Sequence, residues 1–148
     1  MAKLKRFLKL SDLTEIRTGF TFREKIEEVE SGNAHVLQIK DIRNIATDTC
    51  SYTLFADALP QIDWQGKDNA IVSPESVLLP CRGEYLKAHY FVGHQDQSKA
   101  RPLIVSSQFF FFMPNQNVVP EYLCWYLNQP NVQYELRKES QGSKMPML

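Results

Sequence analysis

Cysteine is scarce in this sequence, and its positions do not form a recognisable covalent framework. Cys50, Cys81 and Cys124 are widely spaced, odd in number and include no CxxC pair. A disulfide scaffold usually needs an even set of cysteines, and a four-thiolate zinc site needs closely spaced pairs, so neither is indicated. We therefore expect this protein to be cytoplasmic.

Long hydrophobic runs are also missing. No stretch approaches the ~18 apolar residues that would indicate a membrane span. The basic start MAKLKRFLKL has neither the apolar run nor the small-residue cleavage site of a signal peptide. The chain has 148 residues, of which 43% are hydrophobic, which is enough for one core and short for two. We predict a single domain over residues 1–148 and no membrane partner.

An excess of positive charge is absent as well, because 17 basic residues balance 17 acidic ones. This balance excludes a protein that wraps nucleic acid by bulk charge alone. The charges are unevenly placed, however. Residues 41–76 are acidic, whereas residues 77–112 are basic and contain Arg82, Lys87, Lys99 and Arg101. The second stretch is the expected surface for a polyanion.

The hydrophobic spacing of the first third predicts a helix and then a strand. Leu10, Leu13 and Ile16 fall at helical spacing, and we predict a short helix over residues 11–18 that Gly19 ends. The segment HVLQIKDI, residues 35–42, suits a strand that ends near Arg43. Residues 44–75 indicate loops and short strands.

The remaining elements indicate an α+β fold. Three strands are predicted in SVLLP (76–80), EYLKAHYFV (84–92) and PLIVSSQFFFFM (102–113). Pro120 is placed to open a helix with an apolar stripe of Tyr122, Leu123, Tyr126 and Leu127, and a second helix is predicted at roughly 131–139. The expected architecture is a curled, mostly antiparallel sheet with a short N-terminal helix and C-terminal helices.

Residues that could support metal chemistry are present but poorly arranged. Cys81, His89 and His94 lack a fourth zinc ligand, and Arg82 and Lys87 would oppose a cation. A buried cysteine and two ordinary histidines are the simpler interpretation.

The segment Gln38-Ile39-Lys40, with Asp12 upstream, is similar to a degenerate restriction-nuclease metal motif, but Gln replaces the expected carboxylate. An exposed strand face with a solvated Lys40 is the simpler interpretation. Ser106-Ser107 lacks a Gly-x-Ser-x-Gly elbow, and no Gly-rich cofactor loop follows a strand. We expect no cofactor and no metal.

Two further patterns have a structural and a functional interpretation. Phe109 to Phe112 predict a strand buried on both faces rather than a base-stacking platform, because such platforms usually alternate with basic residues. Arg82-Gly83 after a hydrophobic strand could bring a guanidinium to a phosphate or a base, since Gly lets the backbone approach a ligand. An exposed Arg in an ordinary turn is the commoner meaning of such a pair.

Six short segments follow one another in a recognisable order: LSDLTEIRTGFTFRE, VLQIKDI, VLLPCRGEY, VSSQFFFF, PEYLCWYLNQP and ESQGSKMPML. Each is loose by itself. In this order they resemble the target-recognition domain of the specificity subunit of type I restriction-modification enzymes. The resemblance extends from about Leu10 to Leu148.

The resemblance implies a non-catalytic domain that recognises one half of a split double-stranded DNA target. Methyl transfer and cleavage would belong to the methyltransferase (modification) subunit and, through it, the restriction subunit. The implied DNA contacts are Thr21 and Arg23 in the first loop, Lys40 and Arg43 at a strand end, Arg82, Gly83 and Lys87 around the Gly turn, and Ser143 and Lys144 in the last loop. The last loop is expected to fold back beside residues 19–23.

Members of this family carry two such domains joined by long helices, and this chain ends where the first joining helix should begin. We therefore expect a half-unit without joining helices, able to self-associate. Two alternatives stay open at this point. One is a single-stranded nucleic-acid or RNA-binding module that stacks bases on Tyr85, Tyr90 or Phe91. The other is a small metal-dependent nuclease.

The absence of a clustered metal motif and of a cofactor loop leads to the first prediction. The purified chain is expected to show neither nuclease nor methyltransferase activity. The measurement is plasmid cleavage with added magnesium, together with transfer of a labelled methyl group to DNA. Magnesium-dependent cleavage by a clean preparation that Lys40→Ala abolishes would identify the protein as a nuclease instead.

Overall fold

A computed structural model describes residues 14–45, 52–81, 87–114 and 118–141, without the side chains of residues 43–45, 114 and 139–141. Within these ranges the strands are β1 Thr14–Thr18, β2 Ala34–Leu37, β3 Thr53–Phe55, β4 Gln61–Ile62, β5 Ile71–Val72, β6 Val77–Pro80, β7 His89–Gly93, β8 Leu103–Val105 and β9 Phe109–Pro114. The helices are α1 Ile39–Ile45, α2 Pro120–Leu127 and α3 Pro130–Gln141. No helix in the described ranges is long and apolar enough to span a bilayer.

The strands form two sheets. One has five strands in the order β1-β9-β6-β7-β3, and the other has four in the order β4-β2-β8-β5. The pairs β3–β7 and β2–β8 are parallel, and the remaining pairs are antiparallel. The predicted α+β class with mostly antiparallel pairing is confirmed, and the strands are divided between the two sheets.

Three apolar clusters cover the faces of the two sheets, one between the sheets and one on each outer face. Leu37, Leu103 and Val105 of the four-stranded sheet share one core with Leu78, Phe109 and Phe111 of the five-stranded sheet. The opposite face of the five-stranded sheet packs on α2 and α3. The outer face of the four-stranded sheet, with Val36 and Ile104, is covered by Phe22, Ile26 and Trp64. The fold is therefore a helical layer, a sheet and a second sheet, with a loop as the outermost cover.

The four-phenylalanine strand supplies two of these clusters. Phe109 and Phe111 enter the core between the sheets, whereas Phe112 and the partly buried Phe110 face the helices. This alternation follows from the two-residue period of a strand. Complete burial of one such ring is worth about 1.5–3 kcal/mol. The predicted strand with both faces covered is confirmed.

The N-terminal prediction is wrong over the described residues. Residues 14–18 form β1, which pairs antiparallel with β9 from Thr14↔Pro114 to Thr18↔Phe110. Ile16, which defined the predicted helical stripe, is 37% exposed. Two threonines and an isoleucine at alternate positions suit a strand, and pairing with β9 outweighs the weak helical spacing. Residues 11–13 lie outside the described ranges.

The predicted strand over residues 35–42 is also wrong in its second half. The strand ends at Leu37, and helix α1 begins at Ile39. The Asp41 carboxylate accepts a hydrogen bond from the Gln38 backbone N–H at 2.9 Å. This contact caps the first turn, as an acidic residue at the third helical position does. Ile42 then enters the core between the sheets.

The segments predicted as strands over residues 84–92 and 102–113 are corrected as well. The first begins at His89, with residues 84–86 outside the described ranges. The second is two strands, because β8 belongs to the four-stranded sheet and β9 to the five-stranded sheet. A turn at residues 106–108 joins them, with the Phe109 N–H donating to the Ser106 carbonyl at 3.1 Å. This turn carries the chain from one sheet to the other.

The C-terminal helices agree with the prediction except in the face that α2 buries. Pro120 opens α2, and α3 contains the predicted segment 131–139. The buried stripe is Leu123, Cys124 and Leu127, whereas Tyr122 and Tyr126 are 60% and 41% exposed. Asn128 fixes the helix end next to the start of β7. Its side-chain amide accepts from the N–H of Ala88, the residue before this strand, at 2.7 Å and donates to the Ala88 carbonyl at 3.0 Å.

The burial of His89 in β7 makes the stability of this fold depend on pH. Burial lowers the pKa of His89 to about 4. Below pH ~6.5 the unfolded chain binds a proton that the folded chain refuses, so stability is lost as pH falls. The loss from this group is expected to reach about 2–3 kcal/mol at pH ~4.5. Urea unfolding of the wild type and His89→Gln at pH ~7.5 and ~4.5 measures it.

The His89→Gln variant should lose less stability between the two pH values than the wild type, whatever its stability at neutral pH. The pKa of His35 is also lowered, mainly by burial. The residual pH dependence of the variant is therefore expected to keep the same sign. An unchanged pH dependence in His89→Gln would contradict the assignment.

Candidate nucleic-acid interface

The turn at residues 106–108 contacts three segments that are far apart in sequence. The Phe20 N–H donates to the Val105 carbonyl, beside the turn, at 2.8 Å. The Ser106 N–H donates to the Leu37 carbonyl at 3.1 Å, and the Cys81 N–H donates to the Gln108 carbonyl at 2.8 Å. We name the assembly of residues 19–21, residues 38–40, Cys81 and residues 106–108 the motif junction. It brings together four of the six sequence segments.

Gly19 permits the closest of these approaches. A Cβ atom built at this position would lie 2.0 Å from the Ser106 carbonyl oxygen and 2.7 Å from that of Val105. The Gly19 N–H also donates to the Phe109 carbonyl at 2.8 Å. Because all these neighbours are backbone atoms of paired strands, they have little freedom to move aside. Glycine is required here for packing.

Gln108 bridges the turn to the start of α1. Its side-chain oxygen accepts from the Ile39 backbone N–H at 3.2 Å and from the Ser106 hydroxyl at 3.1 Å. The Gln108 N–H in turn donates to the Ser106 hydroxyl oxygen at 3.3 Å. An N–H at the first turn of a helix has no partner within the helix, so this side chain satisfies a donor that would otherwise need water.

The solvent-facing part of the motif junction is mostly uncharged and combines polar with apolar side chains. Phe20, Thr21, Lys40, Ser107 and Gln108 are exposed, and Ile39 and Cys81 are half-buried. Hydroxyl and amide groups can both donate and accept hydrogen bonds, which is what recognition of base edges requires. The backbone beneath them is held by two sheets and a helix.

The loop of residues 20–29, which begins in the motif junction and continues beyond it, borders two open clefts. A cleft of about 490 Å³ is lined by Thr21 and Arg23 together with Ile62 and Asp63 from the end of β4. A second cleft of about 520 Å³ is lined by residues 25–28 and Lys40. Acidic side chains outnumber basic ones along the loop, because Glu24, Glu27 and Glu28 oppose Arg23 and Lys25.

Lys40 already has an acidic partner in this loop. Its ammonium group lies 2.5 Å from the Glu28 carboxylate, and both side chains are well exposed. The hydrogen bond to Glu28 raises the pKa of Lys40. An exposed pair of this kind contributes little to stability. A phosphate that approached Lys40 would therefore compete with Glu28.

The structure gathers some of the predicted contact residues and separates others. Thr21 and Arg23 belong to the loop of residues 20–29, and Lys40 lines a cleft beside this loop. Lys87 lies apart from it, immediately before Ala88, which packs on α2. Arg43 belongs to α1, without a described side chain. Outside the described residues lie Arg82, Gly83, Ser143 and Lys144.

The described part of the basic stretch, residues 77–81 and 87–112, does not form one surface. It crosses from the five-stranded to the four-stranded sheet, and Arg101 in the connection donates to the Gly32 carbonyl at 3.2 Å. Lys99 lies 4.0 Å from Asp96. Ser107 and Gln108 are surface residues that were not among the contacts predicted from the sequence, although the VSSQ segment carries part of the resemblance. The signal available was that a polar triplet interrupts two apolar runs.

The alternative sites receive little support from the geometry. Among the described residues, no three His, Cys, Asp or Glu side chains are placed to hold a metal ion. Lys40 lies on a helix rather than on a strand. Phe91, one proposed stacking platform, is 2% exposed, and Tyr90 is half-buried. Tyr85 lies outside the described residues.

The fold consists of two packed sheets with C-terminal helices. Comparison with solved structures finds proteins of known structure that have a similar fold. No protein-family model matches the chain, and neither does any curated protein. The crystal structure of the HsdS subunit from Thermoanaerobacter tengcongensis is similar over 90% of this chain, with a TM-score of 0.63 and 13% identity.

A chain from a structure that describes complex assembly and conformational transition of the type I R-M system is similar over 95% of this chain, with a TM-score of 0.60 and 12% identity. The matches cover 29% and 30% of those two chains, so this chain spans less than a third of their length. At such low identity the likeness concerns the fold. The predicted resemblance to type I specificity subunits is confirmed at that level.

The close approach at Gly19 gives a prediction about the motif junction. Gly19→Ala is expected to destabilise the fold by about 1–3 kcal/mol, since the added methyl group must displace the backbone of residues 105–106. Urea unfolding monitored by tryptophan fluorescence measures the change. Thr18→Ala, at the adjacent exposed position, is the matched control and should change stability by less. Equal effects of the two substitutions would mean that the approach at Gly19 is not a constraint.

Proposed function

We propose that this chain is a non-catalytic DNA-recognition domain that binds one half of a split duplex target for a type I restriction-modification complex. The observation that carries the proposal is the motif junction. Four segments distant in sequence meet there and present an exposed, mostly uncharged surface that includes hydroxyl and amide groups, on a fold similar to that of an HsdS subunit. Side chains that recognise bases must be held in place by their supporting structure, and this surface is so held.

The polar and charged residues would have different roles. Thr21, Ser107 and Gln108 are suited to hydrogen bonds with base edges in the major groove, because they are exposed and uncharged. The basic residues would fix the register by binding phosphates, with Arg23 and Lys40 acting at the loop of residues 20–29 and Lys87 and Arg43 acting elsewhere on the domain. Gly83 would let the backbone approach the duplex, with Arg82 bidentate to a guanine. Ser143 and Lys144 would add contacts from the last loop.

The balance of charges limits how strongly the isolated chain can bind. With zero net charge and with Lys40 paired to Glu28, the chain can neutralise few phosphates. We therefore expect weak duplex binding with a shallow salt dependence, equivalent to about three to five released ions. A methyltransferase subunit, and through it a restriction subunit, would supply catalysis and further DNA contacts. Self-association of two chains would place two recognition surfaces on one target.

The proposal is tested by salt titration of the wild type, Arg82→Ala and Lys87→Ala. The ligands are a random duplex pool, a duplex selected from that pool and single-stranded DNA of equal length. Arg82→Ala should cost about 1–3 kcal/mol on the selected duplex only, whereas Lys87→Ala should weaken all duplexes about equally. Lys138→Ala, on α3 and beside Glu135, is the matched control.

The ion pair between Lys40 and Glu28 provides a further comparison in the same salt titration. Glu28→Gln should strengthen binding to every duplex and increase the salt slope by about one, since it frees a lysine for phosphate. Glu27→Gln removes an equal charge while keeping the pair, so its effect should be smaller. Preference for single strands, or identical behaviour of Arg82→Ala, Lys87→Ala and the control, would exclude the proposed function.

A further inference from the structure

Phe20 is an apolar side chain held rigidly at the surface of the motif junction. It is 37% exposed, although its ring packs edge-on against Trp64 and Phe22 with centroids 4.6 Å and 4.9 Å away. Its backbone is fixed by the hydrogen bond to Val105 and by a bridge to Ser106. The ring therefore presents a preorganised apolar surface, and contact with a ligand would cost little conformational entropy.

The surroundings of Phe20 decide which ligand group fits it. Thr21 follows it directly, and Ser107 and Gln108 belong to the turn against which its backbone is paired. A solitary exposed apolar side chain needs no explanation. This one, however, is rigid, its backbone is paired beside the turn that carries Ser107 and Gln108, and its side chain lines the cleft that also contains Thr21 and Arg23. That combination suits an edge that carries both polar atoms and an apolar group.

The major groove of duplex DNA offers such an edge at thymine. The thymine O4 accepts hydrogen bonds, and the neighbouring C5-methyl is the apolar group that distinguishes A·T from the other pairs in that groove. We propose that Phe20 is a specificity-determining residue that contacts the methyl group of one thymine in the recognised sequence. This inference rests on the proposed duplex recognition and extends it to a particular base.

The test is a methyl scan of the selected duplex. Each thymine is replaced in turn by deoxyuridine, which lacks the C5-methyl, and the dissociation constants are compared. Loss of one buried methyl-sized group is worth about 0.8 kcal/mol, or about fourfold in affinity. The wild type should show this loss at one position. Phe20→Ala should bind the thymine and uracil duplexes equally at that position and retain any other preferences.

Phe20→Leu is a second variant that keeps an apolar side chain at this position. It provides a test of the inference even if Phe20→Ala does not fold. It should retain a preference for thymine at the same position, of about twofold to fourfold. If a sequence is selected but no thymine shows a methyl effect, or the effect persists undiminished in Phe20→Ala, the inference is wrong while duplex recognition stands. If no sequence is selected from the pool, the proposed function itself fails, and this inference fails with it.

Discussion

The close passage of Gly19 against Ser106 is the constraint on which the arrangement of both sheets depends. β1 belongs to the five-stranded sheet, and the residue after Gly19 is bonded to the end of β8 in the four-stranded sheet. The turn at residues 106–108 connects the same two sheets through β8 and β9. The two segments that pass between the sheets, residues 19–20 and residues 106–108, therefore lie side by side. They can approach so closely because Gly19 has no side chain.

The surface of the motif junction is rigid because its residues are hydrogen-bonded to these two segments. Gln108 is tied to Ser106 and to the first turn of α1, and Cys81 is hydrogen-bonded to the same turn. Flexible loops lose conformational entropy when they bind, whereas groups held by a sheet junction do not. In the proposed DNA-binding function, a chain with zero net charge would depend on such preorganisation, because electrostatic attraction would contribute less of the binding energy.

The loop of residues 20–29 combines a structural and an electrostatic role. Phe22 and Ile26 cover the outer face of the four-stranded sheet, while Glu28 on the same loop holds Lys40. The apolar cover of this sheet and the carboxylate paired with Lys40 therefore belong to one segment of the chain.

The sequence predicted those features that depend on neighbouring residues. The two-sided burial of Phe109 to Phe112 follows from strand periodicity, and Pro120 opens α2 because proline suits the first helical turn. The order of the six segments also indicated the fold. Of the predicted contact residues, Thr21 and Arg23 lie in the loop of residues 20–29 and Lys40 lies beside it, while their contact with DNA stays a prediction.

Tertiary contacts decided the rest. Residues 14–18 are a strand because β9 offers an edge to pair with, which outweighs a weak helical spacing. The segment of residues 102–113 divides at Ser106 because its first part, β8, pairs in the four-stranded sheet and its second part, β9, pairs in the five-stranded sheet. Lys40 is held by Glu28, a partner twelve residues away that spacing along the chain does not reveal. By itself the sequence determined local periodicity and segment order, whereas pairing between distant segments, which depends on the folded backbone, decided sheet membership and the surface of the site.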